Sequence, residues 1–204
     1  MKYKEIPKYV SEYNSFIRSI KLENILNDNK LSIVQPKKSM FSFLYWRGRK
    51  KLKELMDLGG VIVGSRALKF YHYNEVPLLD RKCDDWDIVL TKNALMKFCA
   101  SNKIYDFNHS SSVIRCNFNT GIFIGYNSYS PRKDYMFEYE FDLIAKDELP
   151  EFTQIGNYRI CKLQDCLKYK IDLIEKDYVA SNLEYESKNV LDCNEIMLKI
   201  KSFR

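Results

Sequence analysis

The sequence predicts an α+β fold, in which a small mixed β-sheet of four or five strands carries helices on one face and further helices lie at both ends of the chain. Three observations predict it. Residues 61–63 are a short β-branched run typical of a buried strand, and residues 136–145 alternate apolar with acidic side chains, as a strand with two unlike faces does. Residues 163–177 and 185–201 instead repeat apolar side chains at helical spacing. With 204 residues, 46% of them hydrophobic, the chain can bury one substantial core.

Residues 1–58 are predicted to be an N-terminal helical segment. Residues 10–26 fit one helix, residues 30–39 with Pro36 are typical of a connector, and residues 41–58 predict an amphipathic helix. The last of these carries the densest positive charge in the chain, from Arg47, Arg49, Lys50, Lys51 and Lys53. Such a basic face is either simply solvated or a contact for nucleic-acid phosphates, and the pattern leaves both readings open.

The central domain is predicted over residues 59–150. Its first strand ends at Gly64 and Ser65, and residues 66–71 are helix formers. A strand that turns through glycine into a helix leaves backbone N–H groups and the positive end of a helix dipole where a phosphate can bind. Ser65 can donate its hydroxyl to a phosphate oxygen, or it can be an ordinary helix cap.

Two carboxylates mark the next strand. Asp85 and Asp87 lead into the hydrophobic residues 88–90, and alternate residues of a strand share a face. Neighbouring carboxylates repel each other unless a cation lies between them, and Mg²⁺ is the natural candidate because it prefers hard oxygen ligands shared with phosphates. The alternative is a solvated strand edge with Arg81 or Lys82 as an ion-pair partner.

The strand predicted at residues 136–145 supplies further acids on one face, namely Glu138, Glu140 and Asp142. Between the acidic strands, residues 71–83 are expected to form extra helix and a loop at Pro77. Residues 92–100 predict a helix that crosses back over the sheet. A hairpin is expected from strands 113–118 and 121–126, which flank a turn at Asn119 and Thr120.

In this order, the glycine–serine turn, the paired aspartates and the later acidic strand resemble the nucleotidyltransferase superfamily built on the DNA polymerase β fold. The resemblance covers residues 59–145 and extends to minimal and AbiEii-like members. It implies a nucleotidyltransferase catalytic core in which Asp85, Asp87 and Asp142 bind two Mg²⁺ ions and carry catalysis. The nucleotide-binding residues that it implies are Gly64, Ser65, Arg66 and Lys168.

The implied reaction is in-line attack of a hydroxyl on the α-phosphorus of a nucleoside triphosphate, with loss of pyrophosphate. The acceptor that the resemblance implies is a hydroxyl on RNA, a protein or a small molecule. Two features depart from the family pattern: the interval between Ser65 and Asp85 is long, and Asp84 is a spare acid beside the pair. The alternative is a catalytically silent nucleotide- or RNA-binding module, or one that pairs with a partner as in toxin–antitoxin systems. Retention of all three acids favours the enzyme. A nuclease of the PD-(D/E)xK type is disfavoured, because Lys146 follows Asp142 at the wrong spacing.

Residues 151–204 are predicted to be a C-terminal helical segment packed on the core. In the family such helices bring lysines toward the triphosphate or acceptor, and the candidates are Lys168, Lys170 and Lys188. The spacing of Lys188 and Asp192 is similar to a pattern in the AbiEii-like branch. A lysine on an amphipathic helix is otherwise merely solvated.

Composition limits the remaining classes. A net charge of +6 suits a polyanionic or nucleotide substrate, and 15 Tyr and 12 Phe allow base stacking. Six scattered cysteines and two histidines argue against a zinc site or a disulfide framework and predict reduced, buried thiols. No apolar stretch approaches a membrane span and the N-terminus has no signal-like core, so we expect a soluble, cytoplasmic protein without a membrane partner.

Overall fold

The computed structural model describes residues 29–34, 46–81, 83, 85–104, 113–118, 122–126, 140–180 and 188–202. The predicted α+β class is confirmed, whereas the helix predicted at residues 10–26 lies outside the described residues. In chain order the strands are β1 (Leu31–Ile33), β2 (Val61–Ile62), β3 (Tyr71–Tyr73), β4 (Val76–Pro77), β5 (Trp86–Thr91), β6 (Val113–Asn117), β7 (Ile122–Tyr126), β8 (Phe141–Lys146), β9 (Phe152–Ile155) and β10 (Tyr158–Cys161). The helices are α1 (Trp46–Asp57), α2 (Gly64–Leu68), α3 (Lys92–Ser101), α4 (Leu163–Ala180) and α5 (Lys188–Ser202).

The chain divides into two compact units. One, which we call the sheet unit, comprises Gln35–Ala67 and Lys82–Lys162. The other, which we call the helix-pair unit, comprises Met1–Val34, Leu68–Arg81 and Leu163–Arg204. Each unit is therefore assembled from segments that are distant in sequence.

The sheet unit is built on a mixed sheet of seven strands in the order β7-β6-β8-β5-β2-β10-β9. Strand β5 lies near its middle, parallel to β8 and antiparallel to β2. The predicted sheet of four or five strands was too small, because β9 and β10 form an antiparallel hairpin within the segment predicted to be helical. The signal for it was present in the sequence, since Gly156 and Asn157 separate two short strand-like runs and Gly156 has φ +56°.

Helix α1 has a buried apolar side, as predicted for an amphipathic helix over residues 41–58, of which 41–45 lie outside the described residues. Leu52, Leu55 and Met56 are buried. The helix lies so close to β5 that a Cβ on Gly60 would come within 2.8 Å of Leu55 O and 2.9 Å of Ile88 Cγ2. Glycine at this position therefore permits α1 to approach β5, the strand that carries Asp87.

Two other predicted elements of the sheet unit are confirmed. Helix α3 begins after Thr91, whose hydroxyl accepts a hydrogen bond from Ala94 N at 3.2 Å, and it buries Leu95 and Phe98. Strands β6 and β7 form the expected antiparallel hairpin. Strand β6 also pairs with β8, which places the hairpin beside the acidic strand.

The helix-pair unit contains a three-stranded sheet, β1-β3-β4, as well as α4 and α5. The predicted helix and Pro77 loop over residues 71–83 were wrong, because β3 and β4 form a hairpin there. Asn74 and Glu75 turn it, with φ of 49° and 65°, and Tyr71 and Tyr73 are buried on one face. The connector predicted at residues 30–39 likewise contains strand β1, which pairs with β3.

The two predicted C-terminal helices are confirmed as α4 and α5, and buried charges join them. Lys170 Nζ on α4 lies 2.6 Å from Asp192 Oδ2 on α5. Arg81 donates from Nε and Nη2 to the same carboxylate, the Nη2 bond being 2.7 Å long. Among the described residues, no helix has the length and apolarity that a bilayer crossing requires.

Candidate metal centre

The parallel pairing of β5 with β8 brings the predicted acidic residues together. Asp87 and Asp142 are direct partners in the register of the two strands, and Asp85 lies one residue before β5. Directly opposite residues of neighbouring strands place their side chains on the same face of a sheet. The backbone thus points both register partners toward the same region.

Asp85, Asp87 and Asp142 form one cluster, which we call the acid cluster. Each offers a carboxylate oxygen, and these three oxygens lie within 4.8 Å of one another. Asp142 is only 3% exposed, whereas Asp85 and Asp87 are half-buried. The predictions that the two aspartates share a face and that Asp142 approaches them are therefore confirmed.

The glycine–serine turn lies against the acid cluster. Val63 N donates to Asp87 O at 2.9 Å, and Gly64 follows with φ +65°. A Cβ on Gly64 would overlap Asp87 Oδ2, so the carboxylate packs directly on the backbone of the turn. Ser65 is half-buried at the next position. Phosphate oxygens brought to this turn would come close to the carboxylates.

Helix α2 differs from the predicted helix in its length. It has five residues, Gly64–Leu68, and the chain enters β3 at Tyr71. The aligned peptide dipoles of so short a helix sum to little, so any affinity for phosphate depends on individual N–H and hydroxyl groups instead. The predicted roles of Gly64 and Ser65 in nucleotide binding remain predictions.

Arg115 joins the acid cluster as its cationic partner, a role that the sequence analysis missed. It is the register partner of Asp142 on β6. Its Nε donates to Asp142 Oδ2 at 3.3 Å and lies 3.2 Å from Oδ1, and both side chains are buried. Only the pairing of β6 with β8 reveals this contact, although the predicted hairpin already placed Arg115 on a strand.

Arg66 is a buried residue that fastens the segment in front of β5. It is 2% exposed, and its guanidinium donates to Cys83 O at 2.6 Å and to Asp85 O at 3.1 Å. The same group lies 4.7 Å from the centre of the Trp86 ring, a cation–π contact. These contacts hold the backbone of Asp85 in place, and the predicted contact of Arg66 with a nucleotide remains a prediction.

The other charged residues considered from the sequence as neighbours of the paired aspartates either do not join the acid cluster or lie outside the described residues. Glu140 is buried, and its Oε2 accepts a hydrogen bond from Phe118 N at 3.1 Å. Glu138, Asp84 and Lys82 are outside the described part of the chain. Arg81, considered as an ion-pair partner of the paired aspartates, binds Asp192.

The cationic candidates fall into two groups. In the helix-pair unit, Lys168 is exposed, so its predicted role in nucleotide binding remains a prediction, and Lys170 is buried in its ion pair with Asp192. In the sheet unit, α1 exposes three cations on its surface, Arg49, Lys50 and Lys53. Lys51 instead bonds Glu54 at 2.8 Å, and the side chains of Arg47 and Lys188 are outside the described set.

The donor set of the acid cluster fits a hard divalent cation. Three carboxylate oxygens converge, no thiol or imidazole of the described residues takes part, and one of the carboxylates is held in place by a buried guanidinium. Oxygen-only sites of this kind suit Mg²⁺, Mn²⁺ or Ca²⁺ better than Zn²⁺. The cluster can therefore hold a metal ion.

Comparison with known proteins adds no assignment. None of the family models, curated proteins or solved structures compared with this chain matches it.

Proposed function

We propose that this protein is a Mg²⁺-dependent nucleotidyltransferase, which moves a nucleoside monophosphate from a nucleoside triphosphate to a hydroxyl acceptor and releases pyrophosphate. One observation carries the proposal: the oxygens of Asp85, Asp87 and Asp142 converge within 4.8 Å beside the turn at Gly64. Metal-ligating carboxylates and a site for phosphate are the two requirements of phosphoryl-type transfer.

The reaction is a displacement at phosphorus. The acceptor oxygen forms a bond to the α-phosphorus, and the bond from that phosphorus to the bridging oxygen breaks. Pyrophosphate leaves with the electron pair, and the proton of the hydroxyl passes to solvent. Bound Mg²⁺ would supply charge neutralisation at the entering and leaving oxygens and a lowered pKa of the acceptor hydroxyl.

The residues of the chain have separate tasks in this scheme. Asp85, Asp87 and Asp142 would hold the metal. Gly64, which has no side chain, lets the turn lie against the carboxylate of Asp87, and Ser65 would donate its hydroxyl to the phosphates beyond the cleaved bond. Arg66 acts indirectly, because its hydrogen bonds to Cys83 O and Asp85 O position the backbone just before β5, where Asp85 supplies the first carboxylate.

Helix α1 supports a nucleic acid as the acceptor. It leads through a two-glycine turn into β2, the strand that ends beside the acid cluster. Arg49, Lys50 and Lys53 are exposed on it, and the ion pair of Lys53 with Asp57, at 3.9 Å, is exposed as well. Exposed cations on a helix attract a phosphate backbone without reading its sequence.

The experiment that tests the proposal is transfer from each α-labelled triphosphate to bulk RNA, with Mg²⁺ and with EDTA. Asp85→Asn and Asp87→Asn should each lower label transfer and pyrophosphate release at least ~10²-fold, because each removes a charged metal ligand. Both variants should fold, since loss of one carboxylate relieves repulsion within the cluster. Circular dichroism and thermal unfolding show whether the two variants are folded.

Asp147→Asn is the matched control. Asp147 lies in the same unit just after β8, and its exposed carboxylate pairs with Lys92 at 2.9 Å. The control should transfer label at the wild-type rate. Wild-type rates in Asp85→Asn and Asp87→Asn would overturn the site assignment.

A catalytically silent RNA- or nucleotide-binding module is the second candidate, and the exposed cations of α1 favour it. The label-transfer assay, run beside thermal unfolding with RNA or a triphosphate added, distinguishes the two. Under the silent reading, RNA or a triphosphate raises the melting temperature of the protein while no label is transferred under any metal condition.

A further inference from the structure

We infer that Arg115 is a built-in counter-ion of the acid cluster, which keeps the three carboxylates together when no metal is bound and lowers the affinity of the cluster for the first metal ion. The inference rests on the metal centre of the proposed function. It assigns to Arg115 a positioning role that acts through Asp142.

The position of Arg115 is determined by the sheet. It lies on β6 directly opposite Asp142 on β8, so the backbone pairing sets the separation of the two side chains. Its Nε is 3.2 Å from Oδ1 and 3.3 Å from Oδ2 of Asp142. The side chains are 10% and 4% exposed, so water screens the interaction little.

The charges of the cluster require such a partner. Three carboxylates with oxygens inside 4.8 Å repel one another, and repulsion is strongest for the buried member, Asp142. A guanidinium stays protonated at every pH that a folded protein experiences, so its charge is permanent. The three carboxylates and this one guanidinium together carry a formal charge of −2, which a single divalent cation would neutralise.

A metal ion that approaches Asp142 meets a carboxylate whose Oδ2 already accepts a hydrogen bond from Arg115 Nε, while Oδ1 lies 3.2 Å from the same nitrogen. The permanent positive charge repels the cation, and the carboxylate lone pairs already engaged with Nε are poorer ligands. The cluster alone should hence bind a divalent ion weakly. A triphosphate brings further negative charge and further oxygens, so metal and nucleotide are expected to load together.

The test measures binding of Mn²⁺ to the protein in the absence of nucleotide. Binding is monitored by the decrease in the EPR signal of the hydrated ion. Arg115→Met removes the charge and keeps the apolar stem, Arg115→Gln keeps a hydrogen-bond donor without charge, and Arg115→Lys keeps the charge. Arg159→Gln on β10 is the matched control, since Arg159 is half-buried on the same sheet and packs on Phe152.

We expect Arg115→Met and Arg115→Gln to bind Mn²⁺ roughly tenfold more tightly than the wild type, while Arg115→Lys and Arg159→Gln stay near the wild-type affinity. A gain in affinity cannot come from general damage to the fold. In EDTA the two uncharged variants should melt at lower temperature than the wild type, and saturating Mn²⁺ should narrow the gap.

Equal or weaker Mn²⁺ binding by folded Arg115→Met and Arg115→Gln overturns the role of Arg115 and leaves the proposed function standing. If these variants do not fold in EDTA, refolding with Mn²⁺ should restore the native circular dichroism spectrum, and failure to do so also overturns it. If neither the wild type nor any variant binds Mn²⁺, the metal centre of the proposed function fails and this inference with it.

Discussion

At the scale of single residues, Gly64 and Asp87 are packed together so closely that each determines what the other can be. Gly64 has φ +65°, a conformation that side chains disfavour, and a Cβ there would overlap Asp87 Oδ2. The turn therefore brings its backbone against a carboxylate of the acid cluster. No larger residue could form the same contact.

Gly64→Ala should damage the acid cluster as well as the turn. The left-handed backbone costs about 1–3 kcal/mol of stability for a residue with a side chain. The added methyl group must also displace Asp87, so Mn²⁺ affinity and label transfer should both fall. Chemical denaturation and EPR titration measure the two effects.

Gly156→Ala is the matched control for this prediction. Gly156 has φ +56° in the turn between β9 and β10, so it pays the same backbone cost away from the acid cluster. It should lose stability and keep Mn²⁺ binding. Equal losses of Mn²⁺ affinity in both variants would show that Gly64 acts through backbone strain alone.

At the scale of elements, ion pairs fasten α5 inside the helix-pair unit. Asp192 binds both Arg81 and Lys170, and its side chain is fully buried. Burial by itself raises the pKa of Asp192, but hydrogen bonds and charge from Arg81 and Lys170 outweigh it, so the pKa lies below its usual value. A second group, in which Lys199 bonds Asp80 and Glu195 at 2.8 Å each, holds the later part of the same helix.

Asp192→Asn should destabilise the protein by about 3–5 kcal/mol, since it leaves Lys170 buried without a charge partner. The pKa of Asp192 is depressed in the folded state, so its contribution is complete above 3.8, the usual pKa, and is lost as the pH falls through the lower folded value. The free energy of unfolding of the variant should therefore fall less between pH 7 and acid pH than that of the wild type, because the variant lacks the contribution of the Asp192 carboxylate at every pH. Urea denaturation of both proteins, at pH 7 and at several pH values below 4, measures this difference in the free energy of unfolding.

Asp172→Asn on α4 is the control, because this carboxylate is exposed. It should change stability at pH 7 by less than about 0.5 kcal/mol. The interpretation of the buried ion pairs would be abandoned if Asp172→Asn and Asp192→Asn gave the same denaturation curves.

At the scale of the whole molecule, all six cysteines are buried and none is in a disulfide. The prediction that the thiols are buried is thus confirmed, and their reduced state stays a prediction. Burial raises the pKa of the Cys99 thiol to about 11 and that of Cys193 to about 12, and it also raises the pKa of Cys116 well above its usual value. Thiolate, the reactive form, is therefore scarce at these three cysteines at neutral pH.

Thiol reactivity should accordingly report unfolding of the chain. At pH 8 a disulfide reagent such as dithionitrobenzoate should react slowly with the native protein and rapidly with all six thiols in guanidinium chloride. A reducing agent should leave the melting temperature unchanged. Rapid reaction of any thiol in the native protein would contradict this expectation, and the denatured sample serves as the control for total thiol content.

The sequence by itself determined the helices and the central strands of the larger sheet, together with half of the site. Alternation placed Asp85 and Asp87 on one face of a strand, and helical spacing located α3, α4 and α5, because side-chain periodicity is set by the backbone conformation of each segment. The short hairpin β3–β4 was missed, since its left-handed turn at Asn74 and Glu75 carries no glycine.

Tertiary structure alone decided which strands are neighbours and in what register. Asp142 reaches Asp87 because β8 lies parallel to β5, and Arg115 reaches Asp142 because β6 lies on the other side of β8. Likewise, Lys170 is buried only because α5 brings Asp192 to it. Pairing between distant segments is selected by the packing of the whole core, and residue spacing along the chain carries no record of that choice.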